Sequence, residues 1–149
     1  MTATSAPESR VKVKAQVKIA RPPAKTFACL TDFESWHWWG GGHVSMKKVT
    51  PGAPRTGTQI EQVARRRGRD HTARLEIVEL VNDRSLTLAG NDLETTFRLE
   101  PAGTGTRVIC EVAVRAGGVS ALIYRVVLKR LLAADLRKFR RAVEAAPID

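Results

Sequence analysis

Two cysteines, one tyrosine and an aromatic share of only 5% leave this sequence of 149 residues short of the side chains that most often announce chemistry. Cys29 and Cys110 stand among apolar neighbours, Ala28 and Leu30 for the first and Ile109 and Val112 for the second. That setting suits small buried hydrophobes better than a disulfide. His37, His43 and His71 lack the i, i+4 pairing of a helical zinc site, and there is neither a serine elbow nor an acidic pair flanking a pocket. Metalloenzyme and serine hydrolase chemistry therefore find no support, and no metal or cofactor is expected. Nothing approaches the roughly 20 consecutive apolar residues that span a membrane. The start of the chain lacks the basic and apolar run of a secretory signal. A soluble, cytoplasmic protein is expected, with residues 1–10 as a disordered tail and residues 11–146 as one domain.

Acidic residues are also scarce, 15 against 25 Lys and Arg, which leaves a formal charge of +10. Such an excess can attract nucleic acid, anionic lipid or an acidic partner. The cations are spread out, however. Lys12, Lys14 and Lys18 alternate with apolar residues, while Arg65, Arg66, Arg67 and Arg69 surround Gly68. Arg137, Lys138, Arg140 and Arg141 fall near the end of a predicted helix, where the dipole favours cations. Asp135 and Glu144 on that helix read as ordinary surface partners of neighbouring Arg and Lys.

Hydrophobic alternation dominates the rest. Val11, Val13, Ala15, Val17 and Ile19 share one face of a strand whose other face carries Lys12, Lys14, Gln16 and Lys18. Pro22 and Pro23 end it and open a short helix to about Thr31, with Phe27 and Leu30 inward. Asp32 is placed to cap a second short helix, Phe33 to Trp38. Six more strands follow at hairpin spacing: His43–Val49, Thr58–Arg67, Asp70–Leu80, Ser85–Ala89, Leu93–Glu100 and Thr106–Arg115. Val119 to about Ala145 then lacks proline and glycine and reads as one long helix. Its first half is apolar nearly all round, which predicts the deeper burial there; its second half narrows to Leu132, Leu136, Phe139 and Val143. An α+β fold follows, in which the long helix covers the apolar face of a seven-stranded antiparallel sheet. A bent sheet gripping one helix is expected to leave a cavity.

This order of elements resembles the START/Bet v 1-like (SRPBCC) superfamily, in particular its polyketide cyclase/dehydrase and lipid-transport branch. The local carriers are Ile19-Ala20-Arg21-Pro22-Pro23 through Phe27, Thr31-Asp32-Phe33-Glu34-Ser35-Trp36 with Trp39, and Gly57-Thr58. The resemblance spans Val11 to Ala145 and implies a helix-grip fold enclosing a hydrophobic cavity, entered near the short helices. Pro51-Gly52 and Arg55-Thr56-Gly57 stand where the pollen-allergen members have a glycine-rich loop, so no ligand role is carried over from that loop.

Phe27, Leu30, Met46, Leu75, Leu88, Phe97, Tyr124 and Leu128 are the expected cavity lining, each of them equally at home in a plain core. Trp36 and Trp39 are expected at the mouth by the same resemblance, with a plug between helix and sheet as the structural alternative. His71 shares the phase of Ala73 and Leu75, and with Tyr124 it could supply acid–base catalysis. Three functions remain open on the sequence: binding or transport of a small hydrophobic molecule (a lipid, polyketide or aromatic metabolite), a polyketide cyclase or aromatase, and a basic module for nucleic acid or an anionic surface. Monomer and homodimer are both compatible with it.

Overall fold

The computed structural model describes residues 10–38, 44–66, 68–91, 93–115 and 121–146. The alternating segments become seven strands: β1 (Arg10–Ile19), β2 (Val44–Lys48), β3 (Gln59–Arg66), β4 (Arg69–Val81), β5 (Ser85–Ala89), β6 (Leu93–Ala102) and β7 (Gly105–Arg115). They form one curved antiparallel sheet in the order β1-β7-β6-β5-β4-β3-β2. Helix α1 (Pro23–Leu30) and a 3-10 helix (Phe33–Trp38) follow β1, and helix α2 (Ala121–Ala145) closes the chain. This is the helix-grip arrangement the sequence implied. Residues 1–9 of the expected tail and the Gly40–Gly42 triplet lie outside the described residues, and Arg10, expected as the tail's last residue, opens β1.

Register carries the core across the sheet, because period-two alternation puts partners of one ladder on the same face. Ala15 pairs with Cys110, Cys110 with Phe97, Phe97 with Leu86, and Leu86 with Leu80. One ladder further along, Val13, Val112, Thr95, Leu88 and Ile77 align in the same way. A bulge between Ile77 and Glu79 keeps Leu80 on the inner face after the extra residue. The hairpin expected at Pro101–Gly105 is tighter, since β6 runs on to Ala102 and Pro101 pairs with Thr106. Gly105 has to be glycine: a Cβ there would run into the carbonyl oxygen of Ile19.

The two helix starts differ from each other. Pro22 leads α1 in extended geometry without a side-chain cap, and Thr26, fully buried, returns its hydroxyl to the Pro22 carbonyl at 3.0 Å. At the 3-10 helix it is the carbonyl of Asp32, rather than the expected carboxylate, that accepts the Ser35 amide (3.0 Å) and hydroxyl (2.8 Å). Phe33 is buried, and this helix packs on β2 beside the buried Met46.

Helix α2 lies against β1. Its far end is tied to the β1–α1 junction, where the Ala20 amide donates to the Glu144 carboxylate (2.8 Å) and the Arg21 guanidinium to the Glu144 carbonyl. Thr106 holds the Arg21 carbonyl at 2.7 Å from below. Glu144 is thus a tie across 124 residues of sequence, not the helix-surface ion pair that its neighbours predicted.

Burial along α2 reverses the expectation from composition. Leu136, Phe139 and Val143 are buried, whereas Ile123 (69% exposed), Val126, Val127 and Leu131 (57%) face solvent. The first half is therefore the less covered half. An apolar residue on every side gives a helix no preferred face, and only the second half presents a single stripe for the sheet to receive. Truncating the two halves should have opposite consequences. Phe139→Ala is expected to lower unfolding free energy by about 3–5 kcal/mol, and Ile123→Ala to change it by less than about 0.5 kcal/mol; urea denaturation of both variants checks the pair.

Candidate functional site

The inner face of the sheet is filled at one end and open at the other. At the filled end, α1 brings Phe27 and Leu30 and α2 brings Leu136, Phe139 and Val143 onto Ile19, Val108, Leu99 and Phe97, all of them buried. The opposite end is built differently. The first residue of β4 to find a partner on β5 is Glu76, so the β3–β4 hairpin overhangs the rest of the sheet from Arg69 to Leu75. His71 and Ala73 share the face of the buried Leu75, as their phase required, but both are exposed, because β5 pairing begins only at Glu76 and β3 is their one strand neighbour. Gln62 and Ala64, their partners on β3, are half-buried. His71 therefore lies on the inner face of β4 but at an exposed strand end, the second of the two positions its place in the sequence allows.

Six of the expected lining residues, Phe27, Leu30, Met46, Leu75, Leu88 and Phe97, are buried in one continuous cluster, and Leu128 packs against it half-buried. Leu75 and Leu88 stand where the filled end gives way to the open one; Phe27, Leu30 and Phe97 lie within the filled end. Trp39 and the side chains of Trp36 and Tyr124 lie outside the described residues, and so does any pairing of Tyr124 with His71.

Asp135, expected as a surface partner of neighbouring Arg and Lys, also has the spacing of the inward stripe. It follows Leu128 and Leu132 at spacings of seven and three and precedes Phe139 by four, which sets it on the inward stripe of α2. It is half-buried, and its charge reaches Cys110 on the inner face of β7. That spacing was available in the sequence, but the abundance of nearby cations made a surface pair the simpler reading.

Both thiols are free. Burial pushes the Cys110 thiol far above its ordinary value, with the charges of Asp135 and Glu111 adding in the same direction. Cys29, on α1, is also raised, mainly by burial, with Lys25 opposing and Asp32 adding. Among the described residues no group of three or more His, Cys, Asp or Glu is placed to hold a metal ion, and no helix is long and apolar enough to cross a membrane.

Clefts among the described residues include two whose linings hold no residue of the β3–β4 overhang. One, about 270 Å³, lies between α1, the β2–β3 loop and the β4–β5 turn, with Ala24, Phe27, Ala28 and Leu80 as its apolar wall and Thr31 and Asp83 at its polar edge. A smaller one of about 80 Å³ sits at the β5–β6 turn around Gly90 and Arg115.

The family described as polyketide cyclase / dehydrase and lipid transport matches residues 10–144. No curated protein matches the sequence. Solved structures of the same arrangement include the TTHA0849 protein from Thermus thermophilus, 20% identical over 90% of this chain and 97% of its own, with a TM-score of 0.71. The Zhui aromatase/cyclase from Streptomyces sp. R1128 is 14% identical over 91% and 94%, with a TM-score of 0.73. Ara h 8.0201 is 15% identical over 92% and 99%, with a TM-score of 0.67. At these identities the likeness establishes the fold.

The thiols report on the site's solvent access. Alkylation of the native protein is expected at Cys29 and not at Cys110 until unfolding, as read by mass spectrometry of digests. Because folding raises the pKa of Cys110, its stabilising contribution is complete below the unfolded thiol value of about 9. It declines as pH climbs above that value toward the folded one, since the unfolded chain then binds fewer protons. Stability should therefore fall with pH above 9, and Cys110→Ala, though less stable overall, should show a flatter slope.

Proposed function

The chain belongs to the polyketide cyclase / dehydrase and lipid transport family, and on that premise we propose that it binds a small apolar molecule on the inner face of its sheet, at the open end. The observation that carries this reading is the uneven filling of the grip. The covered end is a finished core, while past Leu75 the inner-face residues of β4, Ala73 and His71, are exposed and their β3 partners Gln62 and Ala64 only half-buried. Protein interiors pack to the density of organic crystals, so apolar surface facing a partial enclosure is where a ligand gains most from leaving water. Leu75, Leu88 and Met46 supply the floor and Leu128 the near wall of α2, while the expected roles of Trp36, Trp39 and Tyr124 fall on side chains outside the described residues. Phe27, Leu30 and Phe97 support that floor from the filled end. Lipids, polyketides and flat aromatic metabolites all suit such a surface.

A cyclase reading is favoured by one specific observation, the half-buried Asp135 on the same helical stripe as Leu128, Leu132 and Phe139. Ring closure and dehydration of a polyketide need a group that takes and returns a proton beside an apolar substrate, and a half-buried carboxylate on the groove's wall can do so. His71 at the open rim and Tyr124 on α2 are the further polar groups of this reading.

Titration with a panel of fatty acids, aromatic polyketides and planar aromatic metabolites, followed by tryptophan fluorescence and native mass spectrometry, should give saturable binding of at least one class. Ala73→Trp fills exposed space on the inner face, so it is expected to weaken that binding about tenfold or more while leaving stability within about 1 kcal/mol. Absence of any saturable ligand, or an unchanged affinity in Ala73→Trp, contradicts the proposal. For an identified polyketide substrate, Asp135→Asn should lower turnover more than affinity.

A further inference from the structure

The ligand-binding groove accounts for the inward stripe of α2 and leaves its outward face unexplained. Ile123, Val127 and Leu131 recur at intervals of four, which stacks them into one stripe. That stripe lies on the side of the helix opposite Leu132, Leu136 and Phe139, so it does not line the groove. All three side chains are exposed. Large aliphatic residues aligned in this way on a water-facing helix cost solubility and gain nothing for the core.

Their surroundings are cationic. Seven Arg and Lys stand against two acids in α2. Arg130 flanks the stripe directly, and Arg137, Lys138 and Arg141 continue it toward the C-terminus, every one of them exposed. A second basic element meets the same end of the molecule. Helix α2 follows the end of β7 and finishes at Ala20, so its first turns lie at the rim where the β3–β4 hairpin overhangs. That hairpin carries the exposed Arg65 and Arg69, with Asp70 only 3.9 Å from Arg65 as a loose, solvent-screened partner. Apolar tips surrounded by cations match an interface that is negatively charged outside and hydrocarbon just beneath. Nucleic acid offers the charge without the hydrocarbon, and an acidic protein seldom offers both over a flat area.

We propose that the outward face of α2 and the arginine hairpin dock the protein onto an anionic lipid bilayer, with Ile123, Val127 and Leu131 entering the headgroup boundary. The docking stands on the surface alone. Its consequence rests on the ligand-binding reading above: the open end of the groove then faces the bilayer, and an apolar guest passes between membrane and groove without crossing bulk water.

The test is co-sedimentation of the full chain with vesicles of phosphatidylcholine alone and of phosphatidylcholine mixed with phosphatidylglycerol, at low and at physiological salt. Binding is expected only with phosphatidylglycerol, weakening as salt screens the cations. The double variant Ile123→Asp, Leu131→Asp should reduce the partition coefficient about tenfold or more, while its circular dichroism and its ligand titration stay those of the parent protein. Arg130→Glu should weaken binding to a smaller degree at low salt. Three results overturn the proposal: no binding to phosphatidylglycerol vesicles at low salt, equal binding by the double aspartate variant, or a concentration-dependent dimer in sedimentation that the double variant abolishes. The first two leave the ligand titration untouched, so failure of docking and failure of the groove are read separately.

Discussion

The structure hinges on the way the second half of α2 seats on the sheet. Leu136, Phe139 and Val143 leave water completely there, each worth roughly 1.5–3 kcal/mol by transfer, and the Glu144 tie to Ala20 and Arg21 fixes where the helix ends. Once that end is anchored, the rest of the helix has to pass along β1 toward the opposite rim, whatever its composition. The same anchoring decides which part of the inner face is core and which part stays accessible. Function, on this account, is what remains of a concave apolar surface after one helix has covered half of it.

Most of the fold was legible in the sequence, for a reason specific to strands. Alternation such as Val11, Val13, Ala15, Val17 and Ile19 against Lys12, Lys14, Gln16 and Lys18 both identifies a strand and says which face is wet. With seven such segments, the last six at hairpin spacing, and one helix long enough to cover them, few architectures remain. The resemblance at Ile19–Phe27 and Thr31–Trp36 pointed to the same one, and the family match over residues 10–144 agrees with it.

What was not legible depends on relations between elements. The overhang of the β3–β4 hairpin arises because β4 has 13 residues and β5 only 5, a mismatch that exposes His71 and Ala73 although their phase is inward. Composition also misjudged α2: its first half has more apolar residues, but its second half has the better stripe, and a stripe is what a sheet can receive. The spacing of Asp135 from Leu132 and Phe139 sets it on the same stripe of α2, beside the neighbouring cations on which its expected surface pairing rested. Glu144 could not have been foreseen, since its partners at Ala20 and Arg21 are brought to it by the tertiary fold alone.

The division of α2 into an anchored half and an uncovered half is the claim most open to direct measurement, by native-state amide hydrogen exchange. Amides opened only by global unfolding exchange with the full stability of the protein, whereas uncovered segments exchange through smaller local fluctuations. Residues 136–143 should show the slow, global limit and residues 123–131 a markedly faster exchange in the absence of ligand. Uniform slow exchange along the whole of α2 would mean that its first half is packed as tightly as its second, and the open groove would not exist.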